Sequence, residues 1–346
     1  MIGKTNSTTS VGNVVVEEKF IINQTDAVKP YLECLDYFKM GINYLGNPSE
    51  VRLSNIVKKE YDTVLGRSIF KADYPTAMFM AGYDPVTRFR TGCFAYLKKV
   101  HMPRGDDGIR HGIRLSEKMF YGTPVEEIDI EMSSEQGDFI FSISDYCFYD
   151  TPKLTTNFDL SMVREVRSHA FEKSAAPIIA LSYDATVGDY AFAYSKLQVD
   201  TPLPAPGEYA YAGCTALPEF VVTRDCRKPG IFKDCTQLKR VLVSLITYNA
   251  WQLDETTFKN TPIGKKEEGT GVYVWHGGHR GVYNDFLAYN SDLVNAYGWL
   301  DIDNNYTIPD DDTLAWYEDM DFTVEISEEE RLSPIMGKRY YCKRIS

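Results

Sequence analysis

Four segments of the chain have apolar residues spaced three and four positions apart, a pattern that predicts amphipathic helices. The clearest lies between Asn47 and Gly66. Asn47 is a good N-cap, Pro48 suits the first helical turn, and Gly66 can end the helix in the left-handed conformation. The same spacing predicts helices over three further ranges: 30–45, 159–173 and 285–297.

Other segments alternate apolar and polar residues, which is the period of a half-exposed strand. Residues 127–132 alternate in this way, and residues 139–149 are predicted to form their antiparallel partner. Residues 178–183 and 190–197 are predicted to form a hairpin around Val187 and Gly188. Further strands are predicted over 14–22, 220–223, 241–248, 271–275, 322–326 and 339–343.

These elements predict a strand-rich α+β fold with mostly antiparallel sheets and a few helices concentrated in the N-terminal half. No internal repeat is evident in the pattern. Residues 201–207 hold three prolines and a glycine, so a domain boundary is predicted there. The predicted domains are an N-terminal arm at 1–24, a mixed α+β domain at 25–200 and a β-rich domain at 208–346, with an acidic segment at 300–330.

Composition is that of a globular protein with a sizeable core. Of the 346 residues, 44% are hydrophobic and 25% are charged. Aromatic residues reach 13%, mainly as 24 Tyr and 18 Phe. Tyrosine combines a large apolar body with a polar tip, so it suits half-buried strands and protein interfaces.

Cysteine usage and hydropathy bear on the compartment. The seven cysteines form no C-x-x-C pair and are odd in number, which favours thiols in a reducing compartment over a disulfide framework. The first twenty residues contain no apolar region of signal-peptide length, and no stretch approaches the ~20 apolar residues of a membrane span. We therefore expect synthesis in a cytoplasm and no contact with a membrane.

The charge is concentrated locally. The formal net charge is −12, and residues 300–330 carry twelve carboxylates without a Lys or Arg. Aromatic and aliphatic residues are interspersed among them, which a disordered acidic tail would lack, so a folded charged face is predicted. Its carboxylates are Asp301, Asp303, Asp310, Asp311, Asp312, Glu318, Asp319, Asp321, Glu325, Glu328, Glu329 and Glu330.

A calcium loop is the sharpest candidate site. Five residues offer oxygen ligands at the spacing of an EF-hand loop: Asp301, Asp303, Asn305, Thr307 and Asp312. Two positions depart from that pattern, since Tyr306 stands where glycine is usual and position twelve is Asp instead of Glu. An acidic surface loop without a bound ion is the competing interpretation. No other metal or cofactor is predicted.

A pair of histidines is the remaining candidate for a metal site. His276 and His279 lie three residues apart, but the glycines between them favour a loop, and a zinc site needs three or four ligands. A structural turn is the competing interpretation. The sequence contains no G-x-S-x-G, H-E-x-x-H or G-x-G-x-x-G motif, so no catalytic residue is predicted.

A basic window balances part of the acidity. Residues 88–118 hold eight Lys or Arg against three Asp or Glu. The overall acidity argues against a protein that coats nucleic acid, since such binding depends on neutralising phosphates. The window is better interpreted as a solvated face, or as the partner of the acidic segment in the same or a neighbouring subunit.

Two functions from different classes follow. The first is a non-enzymatic structural or assembly protein, a subunit of a homo- or hetero-oligomer in a large particle such as a virus or phage virion. Segregated charge favours it, because charge patterns set register and orientation between subunits. The alternative is a hydrolase that uses paired carboxylates, with or without a divalent cation at residues 301–312.

Overall fold

The computed structural model describes residues 98–102, 112–115, 117–199, 203–222, 227–243, 251–277 and 282–345, together with the backbone of the strands before residue 98. The chain divides into two compact units, Met1–Val199 and Asp200–Ser346. The domain boundaries expected from the sequence stay a prediction.

The first unit consists of short strands: β1 (Ile2–Gly3), β2 (Thr9–Val11), β3 (Val14–Val16), β4 (Phe20–Asn23), β5 (Tyr31–Cys34), β6 (Asn43–Tyr44), β7 (Glu50–Leu53), β8 (Val57–Asp62), β9 (Arg67–Ala72), β10 (Lys99–Met102), β11 (Gly112–Leu115), β12 (Glu127–Ile130), β13 (Phe139–Ile143), β14 (Phe158–Leu160), β15 (Glu165–Val166), β16 (Pro177–Leu181), β17 (Thr186–Val187) and β18 (Lys196–Leu197). Its sheets have the orders β1-β4-β5-β7-β10-β12, β17-β15-β13-β11-β9-β8, β14-β16-β18 and β2-β3-β6.

The second unit contains a sheet of order β19-β20-β21-β22-β24-β23 and the helices that the structure describes. Its elements are β19 (Glu219–Val222), β20 (Arg240–Val243), β21 (Gly271–Trp275), α1 (Val282–Asn290), β22 (Ala296–Asp301), β23 (Leu314–Tyr317), α2 (Glu328–Leu332) and β24 (Arg339–Arg344).

The predicted fold class is wrong. Among the described strands from β10 to β22, every pairing is parallel, and the chain advances turn by turn as a β-solenoid. Strand alternation has a period of two in both kinds of sheet, so it cannot distinguish a parallel from an antiparallel partner. The described helices both lie in the C-terminal half, contrary to the expectation.

The expectation of no internal repeat is also wrong, because the same corner recurs in the described turns from Phe120 to Phe258. An aromatic side chain points into the core at this corner, and consecutive rings stack along each unit. In the first unit, Phe120, Phe148, Phe171 and Phe192 stack with centroids 5.3, 4.9 and 5.6 Å apart. In the second, Tyr211, Phe232 and Phe258 stack at 6.3 and 5.5 Å. We call these residues the corner aromatics.

Backbone hydrogen bonds join the corners of neighbouring turns. The amides of Tyr146, Phe148 and Asp150 donate to carbonyls of the next turn at 3.0, 2.7 and 2.9 Å. Residues two before and two after each corner aromatic from Phe120 to Phe232 have a positive φ. This alternation turns every second amide toward the next turn, but it holds many non-glycine residues in a conformation that costs them roughly 1–2 kcal/mol each.

A small buried residue stands three positions after each corner aromatic. The hydroxyls of Thr123, Thr151 and Thr261 donate back to the carbonyl of their corner aromatic at 2.8–2.9 Å. The carbonyls of Phe120 and Phe258 also accept the backbone amides of Thr123 and Thr261 at 3.1 Å, so the hydroxyl adds a second hydrogen bond to the same carbonyl. The corresponding residues in the other turns are Ser174, Ser195, Cys214 and Cys235.

Most of the predicted helices are wrong. The segment 47–66 contains β7 and β8, and the segment 159–173 contains β15 and the corner of Phe171. In the range 30–45 the structure describes β5 and β6, and the remaining residues lie outside the described part. The helix predicted at 285–297 exists in part, since α1 spans Val282–Asn290. Within a corner, buried residues lie three or four positions apart, so a corner has the same apolar spacing as an amphipathic helix.

Several strands lie where they were predicted, but their predicted pairings are wrong. Strands β12 and β13 occur where they were expected, yet β12 pairs with β10 and β13 with β11, all in parallel. The hairpin predicted at 178–183 and 190–197 is wrong, because β16 and β18 are parallel strands of successive turns. A corner containing Phe192 separates them, so neither strand folds back on the other.

The second unit ends in a cap made by antiparallel strands. β24 reverses direction and pairs with β22, and β23 adds to its other side. The other edge of β23 is also hydrogen-bonded, by the segment that follows it. The amide of Glu318 donates to the carbonyl of Val324 at 2.9 Å, and the amide of Ile326 donates to the carbonyl of Trp316 at 3.0 Å. Repeat folds need such terminal structures to protect the last edge.

Candidate binding surface

A row of partly exposed side chains follows the corners of the first unit. Each member lies two residues before a corner aromatic, and the row consists of Lys118, Tyr146, His169 and Tyr190. The Lys118 ammonium lies 5.7 Å from the Tyr146 ring centroid. Tyr146 and His169 stack at 4.4 Å, and His169 and Tyr190 at 5.0 Å, with ring planes within 8° of parallel. We call this set the corner row.

A second line of rings lies beside the corner row. Tyr121 and Tyr149 stack at 4.9 Å, and Tyr149 lies 5.6 Å from Tyr146. The Lys173 ammonium is 5.3 Å from the Tyr149 ring and 3.3 Å from its hydroxyl. The rings therefore form a continuous aromatic patch, to which cation–π contacts add lysine at two places.

A buried carboxylate holds the patch in position. Glu172 Oε2 lies 2.5 Å from His169 Nδ1, and its other oxygen lies 3.4 Å from the Lys173 ammonium. A buried carboxylate requires such partners, because an unpaired charge would be costly there. Burial, together with the Glu172 charge, raises the pKa of Tyr146. The phenol of Tyr146 therefore stays neutral at physiological pH.

The residues predicted to bind calcium lie at the cap of the second unit. Arg339 donates two hydrogen bonds to the Asp301 carboxylate, at 2.6 and 2.8 Å. Asp303 accepts the amides of Asn305 and Tyr306, so it closes an Asx turn. Asn305, Thr307 and Asp312 are exposed. The described residues contain no group of three or more His, Cys, Asp or Glu placed to hold a metal ion. Calcium binding stays a prediction.

Cations of the same unit neutralise several carboxylates of the acidic segment. Arg331 lies 3.2 Å from Asp310, and Lys338 lies within 3.2 Å of both Glu318 and Glu330. Arg240 pairs with Asp321. These cations lie outside residues 300–330, so a count within that range overestimates the unbalanced charge.

His276 lies at the end of β21, whereas His279 is outside the described residues. The His276 imidazole is buried between Trp316 and Tyr283, with centroids 5.4 Å away in both cases. Neither ring nitrogen has a hydrogen-bond partner among the described residues. Burial lowers the pKa of His276. The paired-histidine pattern of the sequence therefore contains at least one side chain in the core.

The basic window is described only from Lys98 onward, apart from gaps. Lys99 pairs with Glu127 at 2.6 Å, and Lys118 with Glu117 at 3.1 Å. The guanidinium of Arg114 lies 5.0 Å from the Phe141 ring. These described cations meet carboxylates and rings of their own unit.

Sequence reasoning missed the corner row, although a signal for it exists. Successive corner aromatics of the first unit are 28, 23 and 21 residues apart, and a small Ser, Thr or Cys follows three positions later. Aligning the chain on that pair reveals the repeat. The uneven spacing hides it from a search for a fixed period.

Comparison with known proteins agrees with the corner repeat. Residues 113–239 and 141–264 match the family model of the BspA type leucine-rich repeat region, in six copies. The fold of this region is therefore a leucine-rich repeat. Among solved structures, a leucine-rich repeat protein from Bacteroides ovatus matches with 11% identity and a TM-score of 0.23, over 84% of this chain and 88% of that chain. No curated protein matches significantly.

The described helices do not resemble membrane spans. None of them is long and apolar enough to cross a bilayer.

Proposed function

We propose that this chain, which contains a BspA-type leucine-rich repeat region, is a non-enzymatic protein-binding repeat that works as a subunit of a larger assembly. The corner row supports this proposal most directly. Protein interfaces favour tyrosine, and the corner row presents Tyr146 and Tyr190 stacked on either side of His169. They are already ordered by stacking, so little conformational entropy is lost when a partner covers them.

The partner in this proposal is a protein subunit, either a second copy of the chain or a different protein. A narrower form of the proposal is that the assembly is a virus or phage virion and that the protein is synthesised in a cytoplasm. Both depend on sequence features alone. No group of side chains in the described part of the chain favours the hydrolase alternative.

Sedimentation velocity at micromolar concentration tests the proposal. We expect the wild-type chain to associate and the Tyr146→Ala, Tyr190→Ala double variant to shift toward the monomer. Salt should change the association as well, since charges flank the rings. Tyr289→Ala is the matched control, because Tyr289 is an exposed tyrosine on α1 of the second unit and is not a member of the row. A wild-type chain that stays monomeric across concentration and salt would contradict self-assembly.

A further inference from the structure

The sheet of the second unit has an aromatic face on the side opposite to Val241, Val274 and Cys342. Leu242, Tyr273 and Trp299 are buried at the centre of this face. The strand register places Leu242 beside Tyr273, and Tyr273 beside Tyr297. Its remaining apolar members are Val221, Trp275, Tyr297 and Tyr341. We call this surface the aromatic sheet face.

A segment of the chain's own acidic region covers part of this face. Met320 and Phe322 pack against it, although they belong to a turn between β23 and α2. The Phe322 ring lies 4.7 Å from that of Tyr297 and 6.0 Å from that of Tyr273. The Tyr273 hydroxyl donates to the Met320 carbonyl at 2.8 Å. We call residues 319–324 the covering turn.

Cations border the aromatic sheet face and match the acidity of the covering turn. Arg240 pairs with Asp321 through Nη2, and the Lys343 ammonium lies 5.1 Å from the Phe322 ring centroid. The face thus recognises two features together, a carboxylate and the aromatic ring next to it. A nucleic acid would meet the cations but would supply no carboxylate for Arg240.

The match with the covering turn is incomplete. Arg240 Nε is buried and has no hydrogen-bond partner among the described residues. A carboxylate that bound Arg240 in a bidentate manner would accept hydrogen bonds from both Nε and Nη2. Bidentate pairs of this kind are stronger and more specific than a single hydrogen bond. The covering turn leaves this bond unmade.

The covering turn is also strained where it inserts its ring. Phe322 has a φ of 57°, a conformation that a residue with a side chain rarely adopts. The turn is held from within, since the Asp319 carboxylate accepts the amides of Asp321, Thr323 and Val324. A partner segment in an extended conformation could insert the same ring without this strain.

We infer that the aromatic sheet face is a binding site for an acidic segment of a partner protein that carries an aromatic residue next to a carboxylate, and that the covering turn occupies the site until such a segment replaces it. The inference extends the proposed function, because it names a kind of partner and a second surface. The corner row belongs to the first unit, so the two sites can be tested separately.

Intramolecular occupation makes the site selective. The covering turn is tethered and is always present at a high effective concentration, so only a segment with better pairing displaces it. The apparent affinity of any partner is reduced by the fraction of time that the face is covered. Removing the Phe322 ring should therefore strengthen the binding of an added segment.

A labelled peptide with the sequence of residues 318–326 serves as the probe, followed by fluorescence anisotropy. We expect it to bind Phe322→Ala at least tenfold more tightly than wild type, and adding Arg240→Gln should abolish that gain. Val324→Ala is the matched control, since Val324 lies in the same turn, is exposed, and should leave wild-type affinity unchanged. A peptide with Ala in place of its Phe should not bind.

Hydrogen exchange on the wild-type chain provides a test without any variant. Excess peptide should speed the exchange of the amides of Asp321, Thr323 and Val324, because the covering turn leaves the face. Equal binding to wild type and Phe322→Ala, no binding to a folded Phe322→Ala, or exchange unaffected by saturating peptide would each overturn the inference. Any of these results would leave the corner-row test of the proposed function as it stands.

Discussion

Tyr146 and His169 stack face to face across two turns, with centroids 4.4 Å apart and planes 8° from parallel. Their separation of 23 residues in sequence equals the spacing of the corner aromatics Phe148 and Phe171, which lie beside them in the core. The partly exposed stack therefore has the same sequence separation as the buried stack, and both are set by the spacing between neighbouring turns. Neighbouring parallel strands lie ~4.8 Å apart, close to the distance at which aromatic rings stack.

This relationship predicts measurable coupling between Tyr146 and His169. Each change to Ala should lower the free energy of unfolding by roughly 1–3 kcal/mol, and a double-mutant cycle should give a coupling of ~0.5–1.5 kcal/mol. His169→Phe keeps the stack but removes one of the two contacts of the Glu172 carboxylate and leaves that with Lys173, so its stability should lie between those of wild type and His169→Ala. Urea unfolding measures wild type and all four variants, and additive effects within the cycle would contradict the coupling.

The positive φ values at the corners predict that glycine destabilises less at Tyr194 than at Tyr183, two exposed tyrosines. Tyr194 has a φ of 58°, whereas Tyr183, of similar exposure, does not have a positive φ. Tyr194→Gly should relieve about 1 kcal/mol of backbone strain, which offsets its lost contacts. Tyr183→Gly gains no such relief and should destabilise by ~0.5–1 kcal/mol or more. Thermal melts of both variants compare them, and equal losses would contradict this account.

Cys235 and Cys147 should respond differently to serine. Cys235 occupies the position where other turns have Ser or Thr, and its thiol donates to the Tyr211 carbonyl at 3.1 Å. Cys235→Ser should therefore change the free energy of unfolding by less than ~1 kcal/mol. Cys147 occupies the apolar position before a corner aromatic, where the next turns have alanine, and is fully buried. Cys147→Ser should cost ~1–3 kcal/mol. Chemical denaturation distinguishes the two.

His276 predicts a pH dependence of stability. Burial lowers the pKa of this imidazole in the folded state, so the unfolded chain binds its proton more readily. Stability should therefore fall as the pH drops through the unfolded-state pKa of about 6.5. His276→Phe removes the titration and keeps an aromatic ring against Trp316. Its melting temperature should fall less between pH 7.5 and 5.5 than that of wild type, and parallel curves would contradict the prediction.

The acidic segment predicts a comparison of calcium with magnesium. The Asp301 carboxylate is engaged by Arg339, and Tyr306 replaces the usual loop glycine. We expect both ions at millimolar concentration to raise the melting temperature equally by diffuse screening. A specific calcium site would stabilise the protein with calcium only, because magnesium demands a stricter, octahedral geometry. A calcium-specific increase that disappears in Asp301→Ala and Asp312→Ala would establish the site predicted from the sequence.

The sequence by itself determined where many strands lie and which of their residues face the core. The segments at β12, β13, β20 and β21 alternate clearly or are continuously apolar, and a strand exposes alternate residues whatever its partner. It also identified the folded character of residues 300–330, because Trp316, Tyr317 and Phe322 could be recognised as core formers among the carboxylates.

Only the tertiary structure decided the parallel pairing, the corners and the partners of the acidic residues. Parallel and antiparallel strands share a period of two, so Phe139–Ile143 fits either pairing. Residues such as Tyr146 and Lys173 adopt a positive φ that their identity disfavours, and contacts between turns hold them there, including the hydrogen bonds of their amides. Asp301 meets Arg339, and Asp321 meets Arg240, because the fold brings together residues that are far apart in the chain.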